Sequence, residues 1–163
     1  MLLAVLEVDG PNAIRIKKGP EAGKEVSLLS LVLGDEEGMV CKLTAWREIA
    51  DAWGGGGEEP GVKRGDILYI ESTALFTVRE PKTHYFSDLG VMATWDLSTS
   101  PTLSASTFHK SKMEICYRTM PYTHEDNRLR PDLRLGESDA AVRKVAAVVY
   151  WFEGMAGLHT RRT

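Results

Sequence analysis

Period-two alternation is clearest in "MVCKLTAW", residues 39–46, which sets Met39, Cys41, Leu43 and Ala45 on one face and Val40, Lys42, Thr44 and Trp46 on the other. Successive strand side chains point to opposite faces of a sheet. The first set therefore predicts a core face. The second predicts an outward face that carries a cation and an indole.

Upstream, "LLAVLEV" (2–8) and "AIRIKK" (13–18) are β-rich pieces on either side of "DGPN", a turn or kink signal. "KEVSLLSLVL" (24–33) is an almost continuous apolar run of strand length. "GDEEG" (34–38) turns it back into residues 39–46, with Gly38 available for positive φ, so the two runs predict a directly paired hairpin. Trp46, Ile49, Ala50 and Trp53 then share one helical face, predicting a short helix from Arg47 to Trp53 that Gly54 ends. After "GGGGEEPG" (54–61) come a long β-rich run (62–78), the polar loop "REPKTHYFSDLG" (79–90) and a fifth strand, "VMATWDLS" (91–98).

This order, with a curved first strand, predicts a mostly β fold: a five-stranded Greek-key OB barrel over residues 1–100, with the short helix between strands 3 and 4. Residues 101–163 are expected to form an extension. "TSPTLSAST" (99–107) reads as a linker, "KMEICYRTM" (112–120) as an extra strand, and "PYTHEDNRLRPDLRLGES" (121–138) as polar turns. "SDAAVRKVAAVVYWFEGM" (138–155) gives the strongest helical pattern, with Ser138 or Asp139 as N-cap and Gly154 closing the other end.

Composition narrows the function classes. The chain has 163 residues, 43% of them hydrophobic, and a formal net charge of -3. That supports a folded core, and any nucleic-acid binding must rest on a local basic patch rather than a global field. Cys41 and Cys116, the only cysteines, read as reduced thiols of an intracellular protein. The apolar start "MLLAVLEVDG" lacks a basic leader and is too short to span a membrane, so no membrane association is expected. Catalysis is not expected either. His84, His109, His124 and His159 are scattered without metal-site spacing, "GGGGEEPG" has no P-loop lysine, and "HEDNR" (124–128) reads as a solvated turn. No metal or cofactor is called for.

The block "VSLLSLVLGDEEGMVCKLTAWREIADAW" resembles the second and third strands and the helix of the single-stranded-DNA-binding OB folds of the replication protein A large subunit. "VKRGDILYIESTALFTV" resembles that family's fourth strand. The resemblance covers about residues 1–100 and rests on residue types rather than invariant letters; shieldin, telomere-capping and meiotic single-strand binders share the architecture. It implies that Lys42 is the third-strand basic residue and Trp46 the strand-end stacking aromatic. It implies a second stacking aromatic among His84, Tyr85 and Phe86, where the loop is longer than the family's. The cysteine cluster that gives some relatives a zinc ribbon is missing.

The outward face of the third strand, with Lys42, Thr44 and Trp46, is thus the candidate groove. Arg15, Lys17, Lys18 and Lys24 flank it on one side, and Arg79, Lys82, His84, Tyr85 and Phe86 on the other. In the C-terminal helix, Val142, Val145, Val149 and Phe152 line one side. The helix can close the open end of the barrel, but Val148 and Trp151 widen the stripe beyond what a small barrel needs, which predicts contact with a protein subunit or a second copy. The expected function is non-catalytic binding of single-stranded DNA, with RNA left open, in nuclear genome maintenance: replication, repair, telomere capping or meiotic recombination. The alternative is an OB scaffold that binds a protein partner within a larger complex, which the acidic net charge favours.

Overall fold

The computed structural model of the protein describes residues 1–71, 91–94 and 102–158, with the backbone alone for 91–94. Its elements are β1 (Leu2–Arg15), β2 (Glu25–Gly34), β3 (Val40–Trp46), α1 (Glu48–Asp51), β4 (Asp66–Glu71), β5 (Val91–Thr94), β6 (Thr102–Ala105), β7 (Lys112–Arg118) and α2 (Ala140–Met155). Among the described residues the strands form one seven-stranded sheet in the order β5-β6-β3-β2-β1-β4-β7. The sheet is curled into a half-barrel.

β1 joins the two pieces that the sequence separates at "DGPN" into one 14-residue strand. Gly10, with φ 105°, occupies a conformation that glycine tolerates, and the register against β2 shifts between Asp9 and Asn12. Such an irregularity bends a strand, as a curled sheet requires. β2 and β3 form the expected hairpin, Leu28 opposite Trp46 through Gly34 opposite Val40, and Gly38 takes φ 87° in its turn.

Alternation then sorts the side chains. Leu3 and Val5 of β1, Leu29, Leu31 and Leu33 of β2, and Cys41, Leu43 and Ala45 of β3 point into one core with Leu68 and Ile70 of β4. Ala50, Trp53 and Val62, and Leu103 and Ala105 of β6, belong to the same core, so it is built from both sides of residue 100. Burial pushes the Cys41 thiol up to about 11. The opposite face of β1 and β4 carries a second core, in which Ala4 and Ile67 pack against Val145, Val148, Val149 and Phe152 of α2.

The structure corrects the expected barrel. It is not a five-stranded Greek key. The strand beside β3 is β6, in parallel register from Lys42 opposite Thr102 to Ala45 opposite Ala105, and it lies within the stretch read as a linker. β5 pairs with β6, and the expected extra strand, β7, pairs with β4. α1 is shorter than Arg47–Trp53: Arg47, with φ 56° and ψ −128°, turns the chain out of β3, and a π-helical turn carries on from Ala52 to Gly56. Asp139 caps α2 by accepting a bond from Ala141 N at 2.7 Å, and the helix continues past Gly154 to Met155.

"HEDNR" is not simply a solvated turn. Asp126 is buried, and one of its carboxylate oxygens accepts from the main-chain N–H groups of Tyr122 and Thr123, both at 2.8 Å. The other oxygen pairs with Arg118. Arg118 also donates to the Gly61 carbonyl at 2.8 Å. This cluster ties the end of β7 to the segment that leads into α2.

Candidate functional site

The outward face of the sheet can be read row by row from the register. Glu7, Val32, Lys42 and Thr102 lie side by side on β1, β2, β3 and β6. Asp9, Ser30, Thr44 and Ser104 make the next row, and Asn12, Leu28 and Trp46 the third. Lys42 is exposed, whereas Thr44 and Trp46 are half-buried. The strand therefore places Lys42, Thr44 and Trp46 together on one accessible face, with the hydroxyls of Ser30, Thr102 and Ser104 on the strands to either side.

The same face carries acids that the pattern within β3 could not show. Glu7 and Asp9 are exposed and lie across β2 from Lys42 and Thr44. Their signal was in β1, but it becomes meaningful only through pairing. Asp9 accepts a hydrogen bond from Asn12 Nδ2 at 3.0 Å.

The β1–β2 loop is held by main-chain bonds from Gly23 N to Ile16 O at 2.8 Å and from Ile16 N to Lys24 O at 2.9 Å. Its cations do not act alike. Lys24 Nζ reaches Glu21 at 3.4 Å, and Arg15 reaches Glu25 at 3.7 Å. Glu21 also pairs with Arg47, whose hydrogen bond is the main reason its carboxyl is held below the usual carboxylate range. Around Glu21, Lys24, Glu25, Arg47, Glu48 and Asp51 lies a shallow hollow in which carboxylates outnumber cations. Lys17 and Lys18 are exposed on the loop.

Arg79, Lys82, His84, Tyr85 and Phe86 lie outside the described residues. Of the six helix residues singled out for a partner, Val145, Val148, Val149 and Phe152 are buried within this chain. Trp151 lies over Gly34: a Cβ added there would come within 2.9 Å of Trp151 Cη2. Val142 lies against Gly136 in the same manner, at 2.9 Å. The stripe is wide because the chain itself covers it on two flanks. The exposed large apolar residues of α2 are Tyr150 and Met155.

Among the described residues, no His, Cys, Asp or Glu side chains converge in a group of three or more suited to a metal ion. No described helix is long and apolar enough to cross a membrane. No protein-family model matches the chain, and no curated protein matches it.

Proposed function

We propose that the chain is a non-catalytic half-barrel module that binds single-stranded nucleic acid on the outward face of β2 and β3. The observation that carries this reading is the placement of Lys42, Thr44 and Trp46 on one accessible face, the indole at the strand's end. An exposed ammonium can meet a phosphate, hydroxyls can donate to phosphate oxygens, and an indole offers a π-face to any base for about 1–3 kcal/mol. Glu7 and Asp9 repel a backbone laid over the centre of the sheet. The favoured path therefore crosses the Asn12–Leu28–Trp46 row towards Lys17 and Lys18. Sequence preference is slight, because stacking is tolerant of base identity. A reducing nuclear role in genome maintenance, like that of replication protein A, goes with this reading, which the free thiols of Cys41 and Cys116 support.

A second reading, a scaffold for a protein partner, is favoured by Glu7 and Asp9 themselves, since acids beside the groove suit a basic polypeptide better than a polyanion. Fluorescence anisotropy with single-stranded DNA and RNA oligonucleotides at low and moderate salt separates the two. Binding that weakens steeply with salt is the expected result. No binding to either strand at low salt overturns the nucleic-acid reading and leaves the scaffold.

A further inference from the structure

The turn between β6 and β7 holds an aromatic side chain away from the rest of the protein. Phe108 is 88% exposed, although a phenylalanine gains more by burial than almost any other side chain. A single exposed apolar residue is ordinary on a protein surface. Three further observations set this one apart.

The turn is clasped from within. The Ser106 carbonyl accepts from His109 N at 3.2 Å and from Ser111 N at 3.3 Å, and the Thr107 carbonyl accepts from Lys110 N at 3.0 Å. Ser106 N in turn donates to Ser111 Oγ at 3.2 Å. Lys110 takes φ 53°, the left-handed conformation that closes the turn. His109 stands edge-on to the Phe108 ring, 5.1 Å between centroids at 83°. The ring is thus presented on a formed support, so little ordering entropy remains to be lost when something stacks on it.

The turn is also cationic. Residues 106–112 contain His109, Lys110 and Lys112 and no carboxylate. Lys112 faces Glu71 at 3.8 Å, whereas Lys110 is exposed and has no ion pair among the described residues. Finally, the turn leaves the sheet at the end where the indole lies. It follows Ala105, the register partner of Ala45, and Trp46 is the next residue on β3.

We infer that the Ser106–Ser111 turn is a second stacking platform for single-stranded nucleic acid, Phe108 taking a base and Lys110 an adjacent phosphate. The inference rests on the nucleic-acid reading of the β2–β3 face and extends that surface beyond Trp46. An apolar socket on a protein partner would also accept a phenyl ring. Lys110, which has no ion pair among the described residues, and the lack of carboxylates within residues 106–112 favour the polyanion.

The test uses the full chain and a fluorescein-labelled thymidine strand of about 15 nucleotides, long enough to span one OB-type site. Phe108→Ala should weaken binding roughly five- to tenfold, the lower part of the stacking range, with an unchanged melting temperature. Phe108→Tyr should retain wild-type affinity. Lys110→Ala should reduce the slope of log affinity against log salt by about 0.7, one phosphate contact. On a strand whose bases are replaced by abasic sites, Phe108→Ala and wild type should bind alike. If Trp46→Ala weakens binding and Phe108→Ala does not, the platform is refuted while the groove stands, and the ring is left to a protein partner. If wild type binds no strand at low salt, the groove reading and the platform fall together.

Discussion

Arg118 and Asp66 face each other directly across the β4–β7 ladder, and neither side chain is exposed to solvent. Nε donates to one carboxylate oxygen at 2.7 Å and Nη2 to the other at 2.8 Å, a fork that fixes both strands at once. Replacing the guanidinium leaves a carboxylate buried without its counter-charge. Arg118→Met should therefore lower unfolding stability by about 3–5 kcal/mol in urea titrations. A loss under about 1 kcal/mol would mean that water enters and solvates Asp66.

The third member of that cluster sets a dependence on acid. Burial tends to raise the Asp126 carboxyl, but the N–H groups of Thr123 and Tyr122 and the Arg118 guanidinium outweigh it and hold the group well below the ordinary carboxylate range. A folded-state value below the unfolded one stabilises the fold fully above about pH 4, and the gain is lost as the pH falls towards the folded-state value. Asp66 has the opposite sign, because burial dominates and pushes its carboxyl up despite Arg118. Asp126→Asn isolates the first effect. It should flatten the decline of stability below about pH 4, measured by denaturant unfolding at a series of pH values.

Much of this was legible in the sequence, and the parts that were not share a cause. The β3 pattern works because an enclosed core forces strict alternation on Cys41, Leu43 and Ala45. β6 escapes notice because "TLSA" is four residues with one large apolar side chain, and its membership is decided by parallel pairing with a strand far away in the chain. Asp126 looks solvated in its own segment, since its guanidinium partner lies outside the turn on β7. The acids opposite Lys42 were visible as letters in β1 but not as neighbours. Pairing across strands turns a readable list into a surface.

The helix gives a contrast between neighbouring residues. Phe152 is fully buried in the core shared with β1 and β4, while Met155 is 49% exposed. Phe152→Ala should cost about 3–5 kcal/mol of stability, and Met155→Ala should stay within about 0.5 kcal/mol. Thermal and urea unfolding of the two variants side by side provide the check.

On the candidate groove, Trp46→Ala should weaken binding to single strands by about 1–3 kcal/mol if the indole stacks on a base. Lys42→Ala should reduce the salt slope by about 0.7 for one lost phosphate contact. Removing a repulsive acid should act the other way, so Glu7→Gln should tighten binding at low salt, with the gain shrinking as salt rises. Anisotropy titrations of the three variants at matched ionic strengths read all of these. Equal affinities throughout would place any binding elsewhere on the chain.

The parallel pairing of β3 with β6 also bears on how the chain reaches this state. β1, β2 and β3 are joined by short connections and can pair as soon as they meet, whereas β6 must return across everything between Trp46 and Thr102. Closing so long a loop costs entropy before any contact rewards it, which gives the fold a high contact order. The β1–β2–β3 meander should therefore assemble first and wait for β6. During that wait β3 is a bare edge, with main-chain groups open to pairing with another molecule. Refolding at high protein concentration is where this chain is most exposed to misassembly.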